Sequence, residues 1–474
     1  MDYQTVMVLK AVSFSHRFPR FPAAMWAFAV SLALISGGKG SLGVAAEQPT
    51  NPSPNFLLIF TDDQGYGDVS TYQPTDVQTP HIDRIAAEGL LFTTMRANCT
   101  VCSPSRAALL TGRYADRVGV PGVIRTHPEN SWGYLAPSVP TLADELNQVG
   151  YHTAIVGKWH LGLESPNTPN ERGFDFFHGF LGDMMDSYVT HLRHGNNYMR
   201  RDGQVIQPEG HATDLFSDWA IDYLRDRARQ PDEPFFLYLA YNAPHFPIEP
   251  PDEWLERVRQ RDPQLPEKRA LNVAFVEHMD DGIGRVLAAL DETGLAGNTM
   301  VVFTCDNGGS LPHAQNNDPW RDGKQSHYDG GLRVPFMARW PEQIAAGSRS
   351  DYAGLVFDLF PTFLELAGAP LSEDLDAVSL VPILQGGTID EPRELYFVRR
   401  EGGPAYGGKS YEALIRGDWK LLQNDPYSPL ELYNLKDDPQ EQNNLATKAP
   451  RILREMSAAL RLHIQRGGAV PWQP

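Results

Sequence analysis

Short apolar runs alternate with amphipathic stretches along most of the chain. The runs that predict strands are NFLLIF (55–60), YHTAIVG (151–157), PFFLYLAYN (234–242), NTMVVFTC (298–305) and VPFMARW (334–340). Helices are predicted over 141–150, 213–230 and 271–291. Apolar strands that alternate with helices are typical of a parallel sheet covered on both faces. We therefore predict an α/β fold with a large, doubly wound, mostly parallel sheet.

The pattern changes beyond about residue 375. LYFVRR, YEALIRGDWKLLQ and LELYNL are alternating segments separated by polar turns, and a helical stretch follows over 448–465. Alternation of apolar and polar residues favours antiparallel strands with one solvated face. We predict a large catalytic domain over 54–374 and a smaller C-terminal subdomain, an antiparallel sheet with one helix, over 375–474.

The first 46 residues resemble an export signal. Lys10, Arg17 and Arg20 precede an apolar stretch over 23–38, and small residues lead to Ala46 as a cleavage point. A membrane anchor is the alternative, although the apolar run is short for a membrane span. We expect a signal peptide over 1–46 and an exported protein, periplasmic or secreted, without a membrane span in the mature chain.

The chain is acidic, with 41 Lys and Arg against 59 Asp and Glu and a formal net charge of −18. Such a charge argues against nucleic acid or an anionic membrane as a partner. An anionic substrate would require a local cluster of positive charge.

Three cysteines do not make a disulfide framework. Cys99 and Cys102 stand three residues apart, which is compatible with a disulfide or a metal pair, but no second C-x-x-C pair completes a zinc site. One of the two cysteines is therefore a candidate for separate chemistry.

Polar side chains follow four of the predicted strands, and ligands bind at the carboxyl ends of strands in such sheets. Asp62, Asp63, Asp306 and Asn307 carry hard oxygen ligands of the kind that Ca²⁺ or Mg²⁺ prefers. The alternative is that these residues serve only as turn residues. Their occurrence after two separate apolar strands favours a cation site.

A second set of side chains is cationic or titratable. It consists of Lys158, His160, His245 and Lys324. Each residue alone is compatible with a structural role or a surface charge. Cations beside a dication are what an anionic substrate such as sulfate or phosphate requires, and histidines move protons near neutral pH.

The stretch CSPSRAALLTGR (102–113) predicts a helix, with Ser103 and Pro104 as its cap and first turn. Cys102 would lie at the helix N-terminus, where the dipole and free N–H groups favour anions. A buried cysteine and a nucleophilic thiolate of lowered pKa both remain possible interpretations of this position.

The same stretch resembles the C-x-P-S-R signature of the type I, formylglycine-dependent sulfatases. Further segments are similar to that family in the family's order: NFLLIFTDDQGYGD, GKWHLG, NAPH, DNGG and GK…YDGGLRVP. The resemblance spans about residues 54–446 and looks most like the arylsulfatase and N-acetylgalactosamine-6-sulfatase branch. It implies an alkaline phosphatase/sulfatase-like fold and a sulfuric ester hydrolase.

The resemblance also implies a modified residue and a cation. Cys102 would be converted to formylglycine (3-oxoalanine) by a formylglycine-generating or sulfatase-maturating enzyme. A divalent cation, usually Ca²⁺ with Mg²⁺ as the alternative, would be bound by this residue together with Asp62, Asp63, Asp306 and Asn307.

The resemblance implies roles for five further residues. Arg106 and Lys158 would orient the formylglycine hydrate, from which His160 would later abstract a proton. His245 and Lys324 would contact the sulfate, and His245 would donate a proton to the leaving oxygen. The hydrate has a second hydroxyl through which sulfate is released, whereas plain cysteine or serine has none.

The substrate implied is a sulfated carbohydrate or an aryl sulfate. The alternatives are a phosphonate monoester or phosphodiester hydrolase of the same superfamily and a non-catalytic sulfoglycan-binding protein. Candidate sugar contacts lie on loops that flank the motifs: His191, Arg193, His194, Asn317, Trp320 and Arg321. Trp320 is equally compatible with a buried structural role. Cys99 would be a packed thiol or a partner of Cys305.

Overall fold

Ten strands form the larger of two main sheets, and its central strands are the apolar runs of the sequence. The structure is a computed structural model that describes residues 53–401 and 409–471. The expected signal peptide over 1–46 lies outside these residues. No helix within the described ranges is long and apolar enough to cross a membrane.

The strands are β1 (Asn55–Thr61), β2 (Leu90–Phe92), β3 (His152–Lys158), β4 (Phe176–Phe180), β5 (Leu192–Arg193), β6 (Asn196–Asn197), β7 (Met199–Arg201), β8 (Gln204–Val205), β9 (Phe235–Ala240), β10 (Thr299–Cys305), β11 (Phe336–Arg339), β12 (Ser348–Ser350), β13 (Glu394–Glu401), β14 (Lys409–Arg416), β15 (Trp419–Gln423) and β16 (Glu431–Asn434). The α-helices are α1 (Pro80–Ala87), α2 (Cys102–Thr111), α3 (Leu142–Gln148), α4 (Ala212–Arg227), α5 (Asp252–Arg261), α6 (Glu267–Glu292), α7 (Asp329–Leu332), α8 (Leu359–Ala367), α9 (Val381–Leu384) and α10 (Pro450–Gly467).

The centre of the large sheet is parallel, with β10, β1, β9 and β3 side by side. Along β1, Phe56, Leu58 and Phe60 enter one apolar core, whereas Leu57 and Ile59 enter a second core on the other face. Helices α2, α3 and α8 contribute to the first core, and α1, α4 and α6 contribute to the second. This arrangement confirms the predicted doubly wound sheet.

The sheet is mixed at its edges, in the order β12-β2-β11-β10-β1-β9-β3-β4-β7-β8. Strand β11 runs antiparallel to β10, and β7 runs antiparallel to β4. The outer strands β2, β7, β8 and β12 have only two or three residues each. Segments this short contain too few residues to show a periodic pattern of apolar positions. The sequence therefore predicted the central strands of the sheet but not its edge strands.

Helix α2 starts one residue before the predicted cap. Its N-cap is Val101, in extended conformation and without a side-chain cap hydrogen bond. The Ser103 hydroxyl instead accepts the backbone N–H of Ile124 at 3.0 Å. Gly112 ends the helix in the left-handed region, at φ 63°. Cys102 is thus the first helical residue.

Strands β13 to β16 form a four-stranded antiparallel sheet in chain order, as predicted. Leu414 and Leu421 of this sheet share an apolar core with Leu460 of α10 and with Ala108 of α2. Asn51–Pro474 cluster as one compact unit, so the domain boundary between residues 374 and 375 stays a prediction.

A buried ionic network joins α7 to the C-terminal sheet. The Asp329 carboxylate accepts Arg96 Nη2 at 2.6 Å, Lys420 Nζ at 2.7 Å and Arg333 Nε at 2.9 Å. Lys420 Nζ also pairs with Glu441 at 2.8 Å, and neither side chain of this pair has any exposure. Burial opposes ionisation of Asp329, but Arg96 and Lys420 outweigh it and lower its pKa well below the usual range.

We expect Lys420→Ala to lower the free energy of unfolding by about 3–5 kcal/mol, because it leaves buried carboxylates without a counterion. Arg451→Ala is the control, since Arg451 is 75% exposed and pairs with Glu455 on the same helix. Denaturant titration followed by circular dichroism measures both. Equal stability of the two variants would contradict a structural role for the network.

Candidate active site

The carboxyl ends of the central strands bring the predicted polar residues together. Asp62 and Asp63 follow β1, Asp306 and Asn307 follow β10, and Lys158 is the last residue of β3. The side chains of all five are buried. A buried group of this polarity at one sheet edge is the arrangement expected of a ligand site in an open α/β sheet.

The three cysteines are all free and buried. Cys99 Sγ donates to the Val398 carbonyl at 3.2 Å, and Cys305 Sγ contacts the Asn307 carbonyl at 3.2 Å. The disulfide interpretations, Cys99 with Cys102 and Cys99 with Cys305, are therefore wrong.

Cys102 lies against the acidic cluster. Its Sγ is 3.2 Å from Asp62 Oδ1 and 3.8 Å from Lys324 Nζ. Burial and the charges of Asp306 and Asp62 raise the pKa of the thiol well above its usual range. Carboxylates face the sulfur, which favours the buried neutral thiol over the thiolate as the interpretation of this position.

Asp62 is surrounded by cations. Its Oδ2 pairs with Lys158 Nζ and lies 3.6 Å from Arg106 Nη2. The same guanidinium reaches Asp306 Oδ2 at 3.0 Å. Burial opposes ionisation of Asp62, but Lys158, His245 and Arg106 outweigh it and lower its pKa well below the usual range. Burial and the charge of Asp62 raise the pKa of Asp306.

Asp63 links the remaining residues. Lys324 Nζ lies 2.6 Å from its Oδ1, Asn307 Nδ2 donates to the same oxygen at 2.8 Å, and His245 Nε2 lies 3.6 Å from its Oδ2. Asp63 holds a left-handed backbone conformation, at φ 64°. Non-glycine residues in this region are strained and concentrate at functional sites.

His160 and His245 each use one ring nitrogen on a backbone carbonyl. His160 Nε2 bonds the Ile124 carbonyl at 2.8 Å, and His245 Nδ1 bonds the Phe246 carbonyl at 2.6 Å. Carbonyls only accept, so these nitrogens carry the protons, and His160 Nδ1 and His245 Nε2 keep lone pairs. Burial, with Lys158 for His160 and Lys324 for His245, lowers the pKa of both rings.

The residues present fit a hard divalent cation. Ligand atoms of Asp62, Asp63, Cys102 and His245 all lie within 4.8 Å of one another. Asn307 Oδ1 is buried without a hydrogen-bond partner and is thus available as a ligand. Carboxylate and amide oxygens at this density are typical of Ca²⁺ or Mg²⁺ sites.

The candidate sugar contacts fall into two groups. His191, Arg193 and His194 lie in or beside the β5–β6 hairpin. Arg193 Nε pairs with Asp183 at 3.0 Å, and the His194 N–H donates to Asp186 at 2.5 Å. His191 Nε2 bonds the Gly210 carbonyl at 2.9 Å.

The second group precedes Lys324. Asn317 accepts the Gly309 N–H at 2.7 Å, and the guanidinium of Arg333 lies 4.1 Å from the centre of the Trp320 ring. Arg321 Nη1 donates to the Tyr433 hydroxyl at 3.2 Å. These three side chains are engaged within the protein, and their contact with substrate stays a prediction.

Two residues that contact the site were not predicted from the sequence. The Tyr238 hydroxyl lies 3.3 Å from Arg106 Nη1, although Tyr238 stands in the middle of the apolar strand β9. Ile124 contributes its backbone carbonyl to His160, and a backbone contact leaves no signal in side-chain identity. A tyrosine within an otherwise apolar strand was the one clue available.

Comparisons with known proteins agree with this geometry. Residues 54–369 match the Sulfatase family model, and residues 319–466 match the model for N-sulphoglucosamine sulphohydrolase, C-terminal. N-acetylgalactosamine-6-sulfatase of Rattus norvegicus is 36% identical over 410 residues, covering 80% of this chain and 72% of the relative. Arylsulfatase A of Homo sapiens is 32% identical over 482 residues, covering 91% of each chain.

A solved structure of Ps i-CgsB in complex with k-i-k-neocarrahexaose superimposes with a TM-score of 0.81 at 30% identity, covering 89% of this chain and 95% of that one. BT4656, in complex with its substrate D-glucosamine-2-N,6-O-disulfate, has the same fold, with a TM-score of 0.72 at 24% identity over 88% of this chain and 98% of that one. The resemblance seen in the sequence is confirmed. The chain belongs to the sulfatase family of sulfuric ester hydrolases.

Proposed function

We propose that the protein hydrolyses a sulfate ester by means of a formylglycine at position 102 and a divalent cation bound beside it. The observation that carries this proposal is the position of Cys102. It is the first residue of α2, and its Sγ lies 3.2 Å from Asp62 and 3.8 Å from Lys324 Nζ. Cys102 therefore contacts the acidic cluster and also lies beside the ammonium group of Lys324, which would bind sulfate.

The unmodified thiol is a poor candidate for the nucleophile. Burial and the neighbouring carboxylates raise the pKa of the Cys102 thiol, whereas the thiolate is the reactive form of cysteine. When formed from this residue, hydrated formylglycine supplies one hydroxyl to attack sulfur and a second whose deprotonation releases sulfate. Cys102 then serves as the precursor of the reactive group.

We assign the cation to Asp62, Asp63, Asp306, Asn307 and residue 102. Calcium fits these oxygen ligands, with magnesium as the alternative. Such a cation supplies Lewis acidity that lowers the pKa of a bound hydroxyl and offsets negative charge on the sulfuryl group.

The chain's own residues would position the reactants and move the protons. His245 Nε2 faces the site and, once its lone pair has taken up a proton, would donate that proton to the oxygen of the leaving alcohol. His160 Nδ1, a buried atom without a hydrogen-bond partner, would accept the proton that is lost when sulfate departs. Lys158, Lys324 and Arg106 would hold residue 102 and the sulfate oxygens by charge-assisted hydrogen bonds.

The substrate we propose is a sulfated carbohydrate, with an aryl sulfate as the simpler analogue. The names of the relatives and the sugar bound in Ps i-CgsB support this class. The export pattern at the N-terminus suits an enzyme that acts on extracellular polysaccharide, periplasmic or secreted after removal of residues 1–46.

Cys102→Ala should lower kcat for 4-nitrophenyl sulfate at least about a thousandfold, because the substitution removes the precursor of the nucleophile. Peptide mass spectrometry of active protein should find formylglycine at position 102. Cys99→Ser is the matched control, since a hydroxyl can still donate to the Val398 carbonyl. Full activity of Cys102→Ala would overturn the proposal.

Removal of divalent cations by EDTA and dialysis should lower the rate by at least about a hundredfold, because several kcal/mol of charge stabilisation are lost. Adding Ca²⁺ and Mg²⁺ to separate samples then identifies the preferred ion by recovered activity. Undiminished activity in metal-free protein, verified by elemental analysis, would contradict the assigned ligand set.

His245→Ala should slow hydrolysis of a sulfated monosaccharide by about 10²–10⁴-fold, because a sugar alcohol leaves poorly without a proton donor. The same variant should lose much less rate with 4-nitrophenyl sulfate, whose phenolate is a good leaving group. Parallel kcat measurements on both esters provide the comparison. Equal losses would show that His245 acts on both esters through sulfate binding alone.

A further inference from the structure

Two of the exposed large apolar side chains stand directly beside the residues assigned to sulfate. Phe246, which is 43% exposed, follows His245 in the chain. Leu311, which is 47% exposed, lies against Gly323, since a Cβ built on Gly323 would be 3.2 Å from Leu311 Cγ. Gly323 directly precedes Lys324. The two apolar groups thus flank the proposed proton donor and the proposed sulfate-binding lysine.

The Phe246 ring has one face covered by His313. Their ring centroids are 4.5 Å apart, and the planes are inclined by 20°. Burial lowers the pKa of His313, so the imidazole is neutral at neutral pH and the stacked pair carries no charge. In a site otherwise lined by carboxylates, amines and guanidinium, this pair together with Leu311 forms an uncharged rim.

The rim is held in place by hydrogen bonds to both neighbouring loops. Gln315 Nε2 donates to the Pro244 carbonyl at 2.9 Å, which connects the segment of His313 to the loop of His245. The backbone N–H of Lys324 donates to the Gly309 carbonyl at 2.9 Å. The position of the rim relative to His245 and Lys324 is therefore fixed by contacts of the protein itself.

We propose that Phe246, His313 and Leu311 form a subsite for the leaving group, in which the apolar C–H face of the substrate's sugar ring packs on the rim. This inference rests on the proposed sulfate ester hydrolysis. Attack at sulfur breaks the S–O bond, and the alcohol leaves with the oxygen that His245 protonates, so the sugar that carries this oxygen must lie next to His245. An anionic group at Lys324 and an apolar ring face at Phe246 together describe a carbohydrate sulfate.

The physical basis is the usual composition of ligand sites. Such sites combine a few polar groups that fix orientation with apolar and aromatic surface that supplies area. An aromatic ring contributes about 0.5–1.5 kcal/mol beyond the area it buries, so truncation to alanine is a measurable change. Phe246 stays 43% exposed beside the stacked His313, and this exposed area is available for the purpose.

The experiment compares Phe246→Ala, Phe246→Trp and the wild type on 6-sulfated N-acetylgalactosamine, 6-sulfated galactose and 6-sulfated N-acetylglucosamine. For the best of these substrates we expect Phe246→Ala to raise KM about tenfold, with kcat within about twofold. Phe246→Trp should retain a low KM. The inhibition constant of inorganic sulfate, which has no ring, should not change.

Tyr427→Ala is the matched control, because Tyr427 is an exposed aromatic residue, 86% exposed, in the C-terminal sheet region. It should leave KM unchanged. An unchanged KM in Phe246→Ala would overturn the subsite, and so would a parallel rise in the inhibition constant of sulfate, which would place the effect in the anion pocket.

A rise in KM for 4-nitrophenyl sulfate alone would overturn the sugar assignment in favour of an aryl group. These outcomes are distinct from failure of the proposed function. Wild-type protein that hydrolyses neither the sugar sulfates nor 4-nitrophenyl sulfate would overturn the proposed function, and the subsite with it. Active wild type with an indifferent Phe246→Ala variant would overturn the subsite alone.

Discussion

Three carboxylates buried at one sheet edge are the constraint on which the rest of this site depends. Asp62, Asp63 and Asp306 lie beyond the ends of neighbouring strands, where water cannot offset their charge. Buried charges persist only when they are paired or coordinate a metal. Positively charged side chains from separate elements pair with these carboxylates, since Arg106 comes from α2 and Lys158 from β3. The groups that stabilise the acidic cluster are the same ones that suit an anionic substrate.

The C-terminal sheet takes part in the site through the segment that carries Lys324. Five residues beyond Lys324, Asp329 is held by Lys420 of β15 at 2.7 Å and by Arg96 at 2.6 Å. The backbone N–H of His327 donates to Asn424 at 2.7 Å. The C-terminal sheet therefore anchors the loop from which Lys324 reaches Asp63.

The site combines fixed tautomers with strained backbone. His160 and His245 each donate one ring N–H to a backbone carbonyl, which leaves the other nitrogen free for proton transfer. His160 and Asp63 both have positive φ, at 58° and 64°. Such conformations persist where the surrounding packing over-determines them. The large apolar cores on both faces of the sheet supply that packing, so stability of the fold and orientation of the reactive groups have a common origin.

The sequence by itself determined the central parallel strands, the antiparallel C-terminal sheet and the motifs that follow the strand ends. These features are local, because apolar runs, alternation and turn residues are read within a few neighbours. Only the tertiary structure decided that Cys99 and Cys305 stay unpaired, that burial and nearby carboxylates raise the pKa of Cys102, and that a backbone carbonyl orients His160. The short strands at the edges of the large sheet likewise become strands only through pairing with neighbouring strands. Each of these outcomes depends on groups far apart in the chain, and the distance and electrostatic field between such groups exist only once the chain has folded.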